Sequence, residues 1–193
     1  MKTILINPFE KYSEKQLIIS GSIITLIGSL IAMLFNARFD GVLDLHFVRD
    51  SSFTQALLDN LINIIVLSLF LFAVSQLINQ RTRFIDILSV SIISRTPYYL
   101  LPALNINDSI QIAGEEIQKI TENNNMDLLL NSGTIVILLF ALLSLAFLVW
   151  YIGLLYNGFK VAANAKGTKS IVLFAIALLF AEIASKYIIH TLN

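Results

Sequence analysis

Arg95 and Glu182 are the side chains best placed to do chemistry, because both fall in stretches apolar enough to cross a bilayer. An ionised group there is costly and needs a partner, a water-filled cavity or a bend in the chain. Pro97 follows Arg95 by two residues. Proline removes a backbone donor and crowds the preceding turn, so a helix through this point should kink near Ile92 to Arg95. The functional reading of Arg95-Thr96-Pro97 is an anion or lipid-headgroup contact, or a gate. The blander reading, given more weight, is an ion pair between Arg95 and a carboxylate on another span. Glu182 is the natural candidate. Lys186 follows it at i+4, the favourable order for a helical pair, so Glu182 and Lys186 can also satisfy each other. The sharper alternative makes Glu182 a proton-relay carboxylate shared with Arg95.

Weaker candidates lie nearer the N-terminus. Asp40, Asp44 and His46 could hold a divalent ion, although three potential ligands in a loop more often form a solvated surface. Asn60, Asn63, Ser68, Ser75 and Gln76 put polar groups on one apolar stretch. They could line a pore, but such groups more often hydrogen-bond neighbouring helices.

Enzyme signatures are absent: no HEXXH, no phosphate-cradling glycine loop with Lys-Ser/Thr and no Gly-x-Ser-x-Gly elbow. There are no cysteines and only two histidines, His46 and His190, far apart in sequence. Thirteen basic residues balance thirteen acidic ones, which gives no reason to expect nucleic-acid binding. The expectation is therefore a non-enzyme without catalytic residues, cofactor or metal.

The elements that must position these groups follow from composition. Of 193 residues 56% are apolar and 13% charged, too apolar a balance for a soluble domain of this size. The expected fold is an all-α integral membrane protein, a five-helix transmembrane bundle. Its spans lie at about 17–35, 57–78, 84–104, 134–158 and 170–189, with the third kinked at Pro97. Residues 1–16 form a short polar segment, and 17–193 a single transmembrane domain opened by a retained anchor rather than a cleaved signal.

The third span is the weakest, since only 13 of its 21 residues are apolar and it holds Asp86, Arg95, Pro97 and Pro102. It either crosses or lies in the interface. Charge placement favours crossing. With five spans and a cytoplasmic N-terminus, eight Lys and Arg fall inside and three outside, as the positive-inside rule prefers. The expected location is the bacterial inner membrane, with the C-terminus outside.

Two outer loops are long. In the first, Leu43, Leu45 and Phe47 alternate with Asp44 and His46, which reads as a short extended segment at the membrane surface. Ser51-Ser52 suits a cap for the second span. In the second, Ile110, Ala113, Ile117 and Ile120 recur at helical spacing, which reads as a short amphipathic helix between spans three and four. Asp108 and Gln111 would cap it, and an Asn123-Asn124-Asn125 turn would follow. Small-residue stripes, Gly21-Thr25-Gly28-Ala32 in span one and Ala177-Ala181-Ser185 in span five, let helices approach closely within one chain or between two.

One family shares this layout. A polar N-terminus carries Asn7-Pro8-Phe9, the third span holds the Arg95-Thr96-Pro97 break, and the fourth ends in Trp150-Tyr151-Ile152-Gly153-Leu154-Leu155-Tyr156-Asn157-Gly158-Phe159-Lys160. A short basic turn then leads into an alanine-rich fifth span. Over nearly the whole chain this resembles the bacterial branch of the YIP family, the Rab (Ypt)-interacting membrane proteins. The resemblance implies a five-helix membrane domain with a cytoplasmic N-terminus. Eukaryotic members act in vesicle trafficking and bind small GTPases or one another. This chain departs from them. Its N-terminal segment is about 16 residues, and the acidic–tyrosine–glycine–proline signature is reduced at best to Asp40-Gly41. Rab-type GTPase binding and functional residues are therefore not carried over.

The expected function is an interaction or membrane-organising component. Its partners would be the lipid bilayer and a membrane protein or a second copy docked through the small-residue stripes. The alternative is a small transporter or channel subunit using Arg95 and Glu182.

Overall fold

The computed structural model describes residues 5–122 and 132–192. Lys2, the Asn123-Asn124-Asn125 turn and Asp127 lie outside the described residues. Six α-helices follow in order: α1 (Glu14–Leu34), α2 (Phe53–Ile78), α3 (Phe84–Ser94), α4 (Ser109–Glu122), α5 (Ser132–Ala163) and α6 (Gly167–Leu192). A two-residue antiparallel hairpin, β1 (Ala37–Arg38) and β2 (His46–Phe47), joins α1 to α2. By length and composition α1, α2, α5 and α6 can cross a membrane.

The helices outrun their apolar stretches because their first turns are built in polar sequence. Ser13 and Gln16 form a reciprocal capping box at α1, and Ser52 and Gln55 form another at α2. At α4 the expected cap is corrected. Asp108 instead accepts from Asn36 (3.3 Å) and Asn105 (3.4 Å), and the Asn105 side-chain oxygen Oδ1 accepts from the Ile110 N–H at 3.0 Å. The amphipathic helix itself is present, with Ile110 and Ala113 buried.

Residues 84–104 are not one kinked helix. After α3 stops at Ser94, the chain turns through Arg95, Thr96 and Pro97 and continues as a 3-10 stretch, Tyr98–Leu104. The Arg95 carbonyl accepts from both Tyr98 N (2.9 Å) and Tyr99 N (3.2 Å). Pro97 has no N–H to continue the α-helical ladder, and Pro102 removes a second donor, so the tighter winding takes over.

This broken segment lies along α1 from end to end, running the same way. Arg83, just before it, pairs with Glu14 at the start of α1. Ile92 fills the space above Gly21, and the Tyr99 ring fills that above Gly28. Thr25 Oγ1 meets Tyr99 OH at 3.2 Å, and Asn105 Nδ2 donates to Phe35 O at 3.1 Å, just past the far end of α1. The stripe on α1 is thus spent inside the chain. So is the stripe on α6, where Ala177, Ala181 and Ser185 are buried and the helix packs along α2.

The N-terminal segment packs back on α5. Trp150 Nε1 donates to Leu5 O (2.7 Å) and Asn157 Nδ2 to Ile6 O (3.0 Å), while Phe9 is buried against Gly158.

Candidate functional site

The polar residues of the spans converge on the loop between α1 and α2, at the end of the bundle opposite the N-terminus. The loop read as a surface segment is buried there. Phe39 and Val42 are both 0% exposed. Its apolar residues find cover by dipping between the helices, and β1 pairs with β2 to close its neck (Ala37↔Phe47, Arg38↔His46).

A loop buried this way must have its backbone groups satisfied, and side chains from three elements do so. Asn63 of α2 donates to Phe39 O at 2.8 Å. Val42 N donates to Ser185 Oγ at 3.2 Å and Leu43 N to Glu182 Oε2 at 2.7 Å, both on α6. Arg95 Nη1 donates to Val42 O at 3.1 Å. Gly41 lies so close to the Glu182 carboxylate that a Cβ there would come within 2.5 Å of Oε1.

Arg95 is the hub of this socket and is wholly buried. Its Nη2 donates to Asn60 Oδ1 at 3.2 Å, and Asn60 Nδ2 passes the chain on to Ser29 of α1 at 3.0 Å. The guanidinium carbon sits 5.6 Å from the ring centroids of Phe39 and Tyr98, 5.7 Å from Tyr99 and 6.0 Å from Tyr151. Among the described residues Arg95 has no ion-pair partner. Each desolvated cation–π contact contributes about 2 kcal/mol. Each hydrogen bond to a charged group contributes about 1.5–3 kcal/mol. Together these match in scale the several kcal/mol that burying one charge costs. The ring faces and carbonyl oxygens stand in for a carboxylate.

Glu182 and Arg95 therefore do not pair. They grip the same loop from two sides, at adjacent residues. Glu182 Oε1 faces Lys186 Nζ at 3.6 Å, and Lys186 reaches on to Asp44 Oδ2 at 2.6 Å. Nearer the surface, Arg38 makes a bidentate contact with Asp59 (Nε to Oδ2 2.9 Å, Nη2 to Oδ1 2.8 Å), which raises the Arg38 pKa. His46 pairs through Nδ1 with Asp40, and that hydrogen bond raises the His46 pKa against the opposing effect of burial.

Asp40 and His46 thus take each other, while Asp44 takes Lys186. No group of three His, Cys, Asp or Glu among the described residues could hold a metal ion. His46 and His190 line one surface pocket of about 410 Å³ with Arg38, Asp40 and Lys186. Pro97 faces the other way, into a groove on the flank of the bundle.

The socket can clamp a loop and exclude water. Sequence reasoning missed Gly41, Ser185 and the aromatic cage. The available signal was the loop's own composition, since Phe39, Val42, Leu43, Leu45 and Phe47 are too apolar for a solvated connection. No family model, no curated protein and no solved structure matches this chain.

Proposed function

We propose that the chain is a non-enzymatic polytopic membrane protein of the bacterial inner membrane, an interaction or membrane-organising component of the YIP-like type. It crosses five times, with the N-terminus cytoplasmic. The third of these crossings is residues 84–104, added to the four long helices. The 11 residues of α3 and the seven of the 3-10 stretch reach roughly 30 Å together, the thickness of the hydrocarbon core. Their course along α1 and the eight-to-three charge count support this topology. The YIP-like reading draws support from a contact: the two stretches that carry the resemblance, around Phe9 and from Trp150 to Gly158, pack on each other.

The observation that carries the functional reading is where the intramembrane polar groups are spent. Arg95, Asn63, Glu182 and Ser185 all bind the backbone of one loop, so the bundle is stoppered rather than open. With both small-residue stripes packed internally, a protein partner or second copy meets the chain on another surface. The apolar face of α5 is a large one, with Leu138, Leu142 and Val149 all exposed.

Proteoliposome flux tests this. The expected result is no ion or small-solute flux above protein-free vesicles. Flux that disappears in Glu182→Gln while the protein stays folded would overturn it. That outcome would establish the second reading, a transporter or channel in which Phe39–Leu45 is a removable plug. The observation favouring that reading is that Arg95 and Glu182 both touch this loop and would face the opening it left.

A further inference from the structure

A groove of about 420 Å³ opens on the N-terminal half of the bundle, between α1, the Arg95–Pro97 turn and α5. Tyr12, Ser20, Ile24, Thr96, Pro97 and Trp150 line it. The chain stops being an α-helix at Ser94, and Ile93, Thr96 and Pro97 form the wall of the groove at that break.

Three of its polar side chains turn their donors away from it. Ser20 Oγ donates to Gln16 O (2.8 Å) and Leu17 O (3.2 Å), Thr96 Oγ1 to Ile93 O (2.7 Å) and Trp150 Nε1 to Leu5 O (2.7 Å). What remains is a mainly hydrocarbon surface. The size falls within the range of ligand sites, about 300–1,000 Å³. Ser20 and Ile24 lie in the uncharged run of residues 17–35, so the opening is level with lipid chains rather than with water. From Gln16 to Ile24 it runs roughly 12 Å along α1.

Charge gathers at its outer end. The Lys11 ammonium lies 5.7 Å from the ring centroid of Tyr12, and Lys15 is exposed one turn further on. The neighbouring acids are engaged: Glu10 accepts from Asn7 (2.8 Å), and Glu14 pairs with Arg83.

We propose that this groove takes one acyl chain of an anionic phospholipid from the leaflet on the N-terminal side, with the phosphate against Lys11 and Lys15. The proposal rests on the bundle lying in a membrane. It is independent of the number of crossings and of what the protein does there.

Trp150 is the only tryptophan, so its fluorescence reports on the groove directly. The full chain is reconstituted in phosphatidylcholine containing increasing fractions of phosphatidylglycerol brominated at mid-chain. Quenching should saturate at a low fraction of brominated phosphatidylglycerol, several-fold below the fraction of brominated phosphatidylcholine that gives the same effect. Ser20→Phe should lose the saturable component and keep only quenching proportional to mole fraction. Should that variant not fold, Lys11→Gln with Lys15→Gln decides: the phosphatidylglycerol curve should move onto the phosphatidylcholine curve. Proportional, superimposable curves for both lipids in the wild type mean ordinary boundary lipid and overturn the proposal. Saturable quenching that survives in folded Ser20→Phe overturns it too, as does a headgroup preference that survives loss of both lysines.

Discussion

The two ends of this bundle bury opposite things. At the hairpin end, ionised and amide side chains from α2, α6 and the Arg95 turn close on the chain's own backbone, and Arg95, Val42 and Phe39 are sealed from solvent. At the N-terminal end, the flank beside Pro97 is a mainly hydrocarbon-lined groove that no segment among the described residues fills. Both arise at the same break. Arg95 points to one side and enters the socket, while Thr96 and Pro97 face the other and line the groove. A buried polar group must find its partners within the chain, because lipid offers none. An apolar surface can be left to the bilayer at little cost. One interrupted helix thus supplies both a rigid end and a permissive one.

Removing the hub should do the most damage. Arg95→Ala leaves Val42 O and Asn60 Oδ1 without a donor and opens a cavity among four rings, which should cost about 3–5 kcal/mol. Denaturant unfolding in detergent measures it. Arg95→Lys should recover only part of the loss, since one ammonium cannot reproduce the planar fork. Wild-type stability in Arg95→Ala would erase the contrast between the two ends.

A smaller and more local effect is expected at Gly41. A methyl group there meets the Glu182 carboxylate, so Gly41→Ala should cost about 1–3 kcal/mol by overpacking. It should also loosen the loop. Because the chain has no cysteine, Leu43→Cys labelling reads that loosening without background. Adding Glu182→Ala should relieve part of the strain, and a double-mutant cycle should return a coupling of about 0.5–3 kcal/mol. Strict additivity would mean that the two residues do not bear on each other.

At the permissive end, Ser20→Phe should change unfolding stability by no more than about 0.5 kcal/mol while altering Trp150 quenching. A large destabilisation would show the groove to be as tightly specified as the socket.

The smallest effect is a pH dependence at the hairpin's neck. The His46 pKa is raised, chiefly by its bond to Asp40. Its contribution is complete below the unfolded value of about 6.5 and is lost as pH rises through the higher folded value. Loop labelling, corrected for the thiol's own ionisation, should therefore quicken slightly as pH rises through the raised His46 pKa. Asp40→Asn should flatten that profile.

Much of this was legible in the sequence, and the reasons are physical. The four long helices were visible because runs of about twenty predominantly apolar residues have few other uses. Ser52 announced its helix because a capping side chain acts within three residues. Pro97 marked the break, though not that winding would tighten to 3-10 beyond it. The socket stayed hidden because its bonds join residues 24 to 143 positions apart, as between Phe39 and Asn63 or Val42 and Ser185. Arg95 misled for a related reason. Ring faces and backbone carbonyls neutralise a guanidinium as well as a carboxylate does, and neither announces itself by charge. The alternation of Leu43, Leu45 and Phe47 did not distinguish a strand lying on the bundle from a loop sunk into it.

Order of synthesis gives the socket a last consequence. Val42 waits for Ser185, which lies 143 residues later. At about 5–20 residues per second, roughly 7–30 seconds pass between the two leaving the ribosome. Throughout that interval the Val42 and Leu43 amides lack their α6 acceptors, and Arg95 arrives to hold the loop from one side only. The final helix is the bolt of a lock whose other parts are already in place. A chain stalled before it would display an open loop, a visible mark by which unfinished copies differ from finished ones.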